Sequence, residues 1–454
     1  MATNNIINLS DFQGIAVTQD MAAREFARVY NGQLAFCHSR GKWYMFNDYT
    51  WEVQDTPVAF HYARELSRRI SSVSSGGAEL QKVRFCSGVE TFCRADPIFA
   101  RTFKTWDRDD YLLGTPGGTI NLRTGELRQS NPSDYISRST AVIPDEFEDC
   151  PSWLKFLDQA TGGDKQLARY LQQIAGYALT GDASEQCLFF IYGEGGRGKG
   201  TFVNTLLAIM ADYAITSAME TFEASKQLGH TTSIAMLNGA RFVTASETEE
   251  GRQWAEARIK NLTGQDPITA RFMRQDDFTF IPKFKLCIIG NFQPSLKTVD
   301  EAMRRRFNII PFNVKPARSD KRLPEKLKAE WPGILRWAIN GCLDWQANGL
   351  VKPEVVMRAT NEYFDDQNTF GHWLEEYCEV DDQKRRGISS STDLFTSWSK
   401  FAKANGEDAG SQKTFGQTMV RHGFPKKRTT SGIHYTGITL KNFARGDDQS
   451  DGFM

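Results

Sequence analysis

The chain has 454 residues, 40% hydrophobic and 24% charged, an ordinary balance for a globular protein long enough for about three domains. Its 55 basic and 55 acidic residues cancel, so no global basic field advertises nucleic acid and any polyanion site must come from local patches. The eight cysteines stand singly without a CxxC pair, and no histidine cluster joins the closest two, Cys86 and Cys93, which argues against zinc and for reduced thiols in a cytoplasmic setting. The opening MATNNIINLS has neither a basic region nor an apolar core, and no run approaches the ~20 apolar residues of a membrane helix, so neither a signal peptide nor a membrane partner is expected.

Residues 1–105 predict a mixed α+β region without a recognisable catalytic pattern. Helical spacing covers 20–30 and 57–73, and GKWYMFNDYTW forms two aromatic runs that predict a hairpin around Asn47 and Asp48. Arg64, Arg68 and Arg69 fit a solvated helix face better than a DNA contact. Residues 106–180 predict short strands and glycine turns, then helices over 151–178. In those helices Trp153, Phe156 and Leu157 share one face, and Leu167, Tyr170, Leu171 and Ile174 another. The simplest organisation is a helical, collar-like module ahead of residues 181–350.

Residues 187–204, CLFFIYGEGGRGKGTFVN, carry the most specific signal. An apolar strand runs into Gly193, Gly195, Gly196, Arg197 and Gly198. Lys199, Gly200, Thr201 and Phe202 then open a helix. This is how a phosphate-binding loop is built: glycines turn N–H groups inward, the helix N-terminus holds phosphate, and the lysine adds a mobile charge. ATP is the expected ligand. Gly200 occupies the position after the lysine, where a hydroxyl normally reaches Mg2+, so Thr201 is the candidate for that task.

A second buried strand, 240–245, runs into Ser246, Glu247, Thr248, Glu249 and Glu250. An acid at the carboxyl end of such a strand can order Mg2+ and polarise water. Glu247 is the first choice and Glu249 the second. A third strand, 285–290, ends at Asn291, where a polar side chain can orient the lytic water or contact the γ-phosphate. MRRRF then precedes strand 308–312, and Arg305 or Arg306 is the candidate guanidinium for a neighbouring copy's nucleotide. Residues 268–275 and 278–284 predict a hairpin. Lys260, Arg271, Arg274, Lys283 and Lys285 give it charge for a nucleic-acid backbone.

Helix is predicted over 323–350, closing a motor of 181–350. Residues 353–445 predict helices over 359–378, 392–404 and 412–422, then a basic hairpin whose second strand is 433–440. These are the parts of a winged helix, with Lys413, Arg421, Lys426, Lys427 and Arg428 as its DNA face; a protein-binding winged helix has the same parts. Residues 446–454 are expected to be disordered.

Taken together, YGEGGRGKGTF, VTASETEEG, IKNLTGQDPITAR, PKFKLCIIGNFQP and RRRFNIIPF resemble the helicase part of the phage, plasmid and poxvirus primase–helicase family, in helicase superfamily three of the AAA+ ATPases. GGTINLRTGEL and LQQIAGYALTG upstream, with NEYFDDQNTF and HYTGITL downstream, extend the similarity over 106–440. The resemblance implies an α/β AAA+ core with a parallel sheet and a winged-helix end. It implies a hexameric ring that hydrolyses ATP with Mg2+ and unwinds DNA by moving on single strands, 3′ to 5′. In that picture Lys199 binds phosphate, Glu247 serves metal and water, Asn291 senses the γ-phosphate, and Arg305 or Arg306 acts in trans. Arg197 stands where relatives often have Asn. Residues 1–105 are too short for a polymerising primase, so a separate primase is an expected partner on forked DNA. The GKGT ending also fits a nucleoside monophosphate kinase. A non-unwinding AAA+ initiator or loader, or an RNA-directed ring, shares most of these motifs.

Overall fold

The computed structural model describes residues 7–224, 231–246, 252–273, 276–296, 300–316, 320–367, 369–381, 387–406, 408–430 and 432–441. The chain divides into two units, residues 1–360 and 361–454.

The first unit opens with α1 (Gln19–Tyr30), β1 (Leu34–Cys37), β2 (Lys42–Phe46), β3 (Trp51–Val53), α2 (Val58–Ser71), α3 (Val83–Ala95) and β4 (Ala100–Arg101). Thr18 caps α1 by accepting the Met21 N–H. The strands form one sheet in the order β3-β2-β1-β4. The predicted hairpin is β2–β3, while β1 and α3 have no separate signal in the sequence. Phe26, Trp43, Val89 and Phe99 bury the core between helices and sheet. A second three-stranded sheet follows, β5 (Leu112–Thr115), β6 (Gly118–Asn121) and β7 (Glu126–Arg128), then α4 (Pro151–Thr161) and α5 (Lys165–Leu179).

Next come β8 (Leu188–Tyr192), α6 (Lys199–Met210), β9 (Ala214–Thr216), α7 (Thr231–Ala235), β10 (Phe242–Ser246), α8 (Glu256–Thr263), β11 (Ile268–Ala270), β12 (Phe278–Phe280), β13 (Lys285–Gly290), α9 (Glu301–Arg304), β14 (Phe307–Pro311), α10 (Leu323–Ala329) and α11 (Trp331–Asn348). Five of these strands form an all-parallel sheet in the order β14-β8-β13-β10-β9. Its strands are near-continuous apolar runs, as strands covered on both faces must be. The helix expected over 323–350 is two helices, because Pro332 lacks an N–H and starts a new one.

The collar-like stretch is not a separate body. Leu113, Ile120, Trp153, Tyr170 and Ile174 share one core with Phe189, Ile310, Trp337 and Cys342. A Cβ on Gly176 of α5 would meet the Cys342 backbone N at 2.0 Å, so only glycine lets α11 approach this closely.

The helix α12 (Glu354–Asp366) contains the division between units. The second unit then has α13 (Thr369–Tyr377), β15 (Cys378–Val380), β16 (Ile388–Ser390), α14 (Ser391–Ala404), α15 (Gln412–Arg421), β17 (Lys426–Thr429), β18 (Gly432–Thr436) and β19 (Ile438–Leu440). The single helix expected over 359–378 is therefore two. Asp365 and Asp366 put negative charge where a helix C-terminus disfavours it. The strand expected over 433–440 also divides, at Gly437 with φ +82°. β18 joins β16 and β17, while β19 pairs with β15. Trp373, Leu394, Phe415 and Tyr435 form this unit's core, and Ser390 and Ser411 cap α14 and α15.

All eight cysteines are buried and unpaired. No helix among the described residues is long and apolar enough to cross a membrane.

Candidate functional site: a glycine loop at the carboxyl end of the parallel sheet

Parallel strands end together, so β8, β13 and β10 finish at one edge. The register makes this concrete: Tyr192 lies opposite Gly290, and Ile289 opposite Ser246. The loop 193–198 follows β8 and Asn291 follows β13, while the acidic stretch next in sequence after β10 lies outside the described residues.

Two loop glycines are obligatory. Gly193 has φ +149° and a Cβ there would sit 2.3 Å from the Phe312 carbonyl oxygen. Gly198 has φ +95° and a Cβ 2.8 Å from the Phe156 ring. Gly195 has ordinary backbone and open space around it, Gly196 has φ +75°, and Gly200 sits in the first turn of α6. Lys199 is 8% exposed and folds back over the loop. Its ammonium donates to the carbonyls of Gly193 and Glu194, the latter at 3.0 Å, and to Asn291 Oδ1 at 2.9 Å. Burial, then the nearby Arg197, pushes this ammonium below its ordinary range. Such an ammonium, ringed by oxygens at a helix N-terminus, is suited to exchange them for an anion's oxygens.

Arg197 pairs with Glu194 across the loop, and its Nε is buried without a hydrogen-bond partner. Thr201 is half-buried one residue beyond Gly200. Phe202 is a correction: it is fully buried, its ring stacks on Trp153 at 5.7 Å and 12°, and its N–H is spent on Gly198 O at 3.0 Å. It anchors the loop from below instead of touching a ligand. Sequence reasoning also missed Phe156 and Phe312, which shape the loop from α4 and from beyond β14, because nothing local links such distant positions. Glu247 and Glu249 lie outside the described residues, as does Arg274. Among the described residues, no group of three or more His, Cys, Asp or Glu side chains could hold a metal ion.

The two arginine candidates separate sharply. Arg305 is exposed. Arg306 is 7% exposed, its Nε donating to Thr263 Oγ1 at 3.2 Å and an Nη to Ala302 O at 2.8 Å, so it is structural.

The hairpin candidates separate too. Arg271 is exposed immediately after β11 and lies 3.8 Å from Asp277. Lys283 pairs with Asp110 at 2.5 Å, and Lys260 lies on α8, paired with Asp300 at 2.5 Å. Lys285 is a second correction. It is 1% exposed and donates to the carbonyls of Thr180 at 2.5 Å and Asp182 at 2.9 Å, over the Tyr177 ring. Burial first, then Arg241, lowers its ammonium to about 7. Arg241, one residue before β10, similarly donates to Leu179 O at 2.6 Å and Leu112 O at 2.8 Å. Two buried cations thus tie the starts of β10 and β13 to the C-terminus of α5, where helix carbonyls favour positive charge.

In the second unit Lys413, Lys426, Lys427 and Arg428 are exposed, the last three along the edge strand β17. The Arg421 side chain is outside the described residues.

A family model described as "D5 N terminal like" matches residues 23–162, and a "Family of unknown function (DUF5906)" matches residues 191–306. The first match carries the similarity upstream into a region whose residues suggested none. A protein of Acanthamoeba polyphaga mimivirus named as a candidate helicase, L207/L206, is 25% identical over 378 residues, 78% of this chain and 38% of its own length. The candidate helicase 022R of Frog virus 3 (isolate Goorha) is 22% identical over 331 residues, covering 67% of this chain and 32% of its own length. The chain therefore spans about a third of the length of these curated relatives. Among solved structures, the A form apo structure of the NrS-1 C terminal region is 10% identical with a TM-score of 0.49, covering 90% of this chain and 96% of that one. At that score the likeness does not fix the fold.

Proposed function

We propose, from the premise that this chain is similar to the primase–helicase family in its helicase part, that it is an ATP-hydrolysing, helicase-type motor acting on DNA. One observation carries most of the weight: Lys199 and Asn291 meet at 2.9 Å at the carboxyl edge of a parallel sheet whose next strand leads into Glu247 and Glu249. The strand order, with the phosphate-loop strand between the last strand and the Asn291 strand, suits an AAA+ core.

The glycine cradle leaves room for the phosphates, and Lys199 would exchange loop carbonyls for their oxygens. Asn291, accepting from Lys199 through Oδ1, keeps its amide N–H groups for the γ-phosphate. Thr201 and Glu247 would hold Mg2+, which when bound neutralises charge on the β- and γ-phosphates. Glu247, or failing it Glu249, orients the attacking water. Arg305 reaches the nucleotide of an adjacent copy in a ring, expected to be a hexamer moving 3′ to 5′. Residues 353–445 serve as a winged helix: helices α12 and α13, strands β15 and β16, helices α14 and α15, then the β17–β18 hairpin and β19 follow in that order, with Lys426, Lys427 and Arg428 on the DNA side. A separate primase would supply primers on the same forked DNA.

The test is strand displacement on forked DNA and forked RNA. Wild type displaces the DNA strand with ATP and Mg2+, whereas Lys199→Ala and Arg305→Ala do not. DNA-stimulated hydrolysis without displacement means an initiator or loader. Phosphoryl transfer to a nucleoside monophosphate means a kinase.

A further inference from the structure

We infer, resting on the role proposed above for Arg305, that Lys260 and Asp300 are positioning residues whose ion pair sets the α9 helix so that Arg305 is presented to the neighbouring copy. The sequence grouped Lys260 with a DNA-binding hairpin, but its ammonium is committed elsewhere. It lies 2.5 Å from Asp300 Oδ2, while Asp300 Oδ1 accepts the Met303 N–H at 2.8 Å. One carboxylate thus caps α9 and ties it to α8. Burial alone would raise this carboxyl, yet the bonds from Lys260 and Met303 outweigh it and hold the group below its ordinary range.

A second tether acts one turn further along α8. Thr263, three residues after Lys260 and on the same helix face, accepts from the buried Arg306 Nε at 3.2 Å. Arg306 also donates to Ala302 O within α9, and its own carbonyl accepts from Leu188 N at 2.7 Å, at the start of the phosphate-loop strand. A helix of four residues has no orientation of its own. Here it is gripped from α8 at both ends, and Arg305, the residue that follows α9, is left exposed and without an ion-pair partner among the described residues. The geometry also connects Arg305 to β8, so the guanidinium and the phosphate loop of one copy share a frame.

The experiment compares Asp300→Asn, Lys260→Met, Lys260→Arg and Arg305→Ala in steady-state ATP hydrolysis, with DNA binding measured in parallel. Asparagine still caps α9, because Asn and Asp cap equally well, so Asp300→Asn removes the ion pair and spares the fold. Asp300→Asn and Lys260→Met are expected to lower kcat by about 10-fold or more with KM for ATP within about 2-fold, the signature of an interaction made only in the transition state. Lys260→Arg restores kcat, and adding Arg305→Ala to Asp300→Asn costs little more than Arg305→Ala alone. If Arg305→Ala itself leaves kcat unchanged, the role of Arg305 falls. If Arg305→Ala lowers kcat but Asp300→Asn and Lys260→Met do not, the positioning inference alone is overturned. Lys260→Met with normal kcat and weakened DNA binding returns Lys260 to the DNA surface.

Discussion

Replacing Gly193 by alanine puts the glycine loop under a load that can be worked out in advance. A side chain at φ +149° costs about 1–3 kcal/mol in backbone strain. The new Cβ would also lie 2.3 Å from the Phe312 carbonyl oxygen, and that residue is fixed by its N–H bond to Tyr192 O at 2.8 Å. Overpacking against such a fixed backbone adds about 1–3 kcal/mol. The sum, roughly 2–6 kcal/mol, is within what a folded domain can lose, so the protein should fold with a displaced loop. Because the Gly193 carbonyl accepts from Lys199, the displacement also moves the ammonium. Gly195→Ala is the internal control. It has ordinary backbone and no atom within 4 Å, so its stability should stay within about 0.5 kcal/mol of wild type, any defect appearing only in nucleotide affinity. Urea unfolding and binding of a fluorescent ATP analogue read both quantities. Gly193→Ala with wild-type stability and affinity would refute the packing argument.

Lys285 gives a pH signature. Its folded-state ammonium titrates near 7 against an ordinary 10.5, so between these values the unfolded chain binds a proton that the folded one does not. Stability attributable to Lys285 therefore rises with pH across that window, by up to about 1.4 kcal/mol per unit. The stability difference between wild type and Lys285→Met, followed from pH 7 to 10, isolates this, and a flat difference contradicts it. On β17, changing Lys426, Lys427 and Arg428 together to alanine should weaken DNA binding and flatten its salt dependence by up to about 2–3 in log–log slope, leaving DNA-free ATP hydrolysis intact. Unchanged DNA binding would reduce the three charges to protection of an exposed edge strand.

Much of this molecule is legible locally. Strand, glycine loop and helix at 187–204 fold as the spacing demands, because each step depends on near neighbours. The faces built on Trp153 and on Tyr170 are buried as their 3.6-residue spacing requires. Charge was the poor guide. Lys285 and Arg306 read in the sequence as cations reaching outward, for DNA and for a neighbouring copy, yet both are buried on carbonyl or hydroxyl oxygens, as is Arg241 inside the predicted strand 240–245. Only the tertiary fold decides whether a lysine meets water or a helix C-terminus. Phe202 misled for the converse reason: adjacency to a loop says nothing about which side of the helix faces the core. The collar reads as a module of its own because Gly181 and Asp182 break the helical pattern just before the strand at 188, whereas Gly176 lets α5 pack directly against α11.

In the proposed motor ATP is cleaved between two copies, one supplying Lys199 and the other Arg305. Subunit mixing tests it most directly. Lys199→Ala and Arg305→Ala proteins, each inactive alone, should regain ATP hydrolysis when combined, since random assembly leaves roughly a quarter of the seams with both groups intact. If the mixture stays as inactive as its components although the subunits co-assemble, or if Arg305→Ala alone hydrolyses ATP at the wild-type rate, the shared site is contradicted.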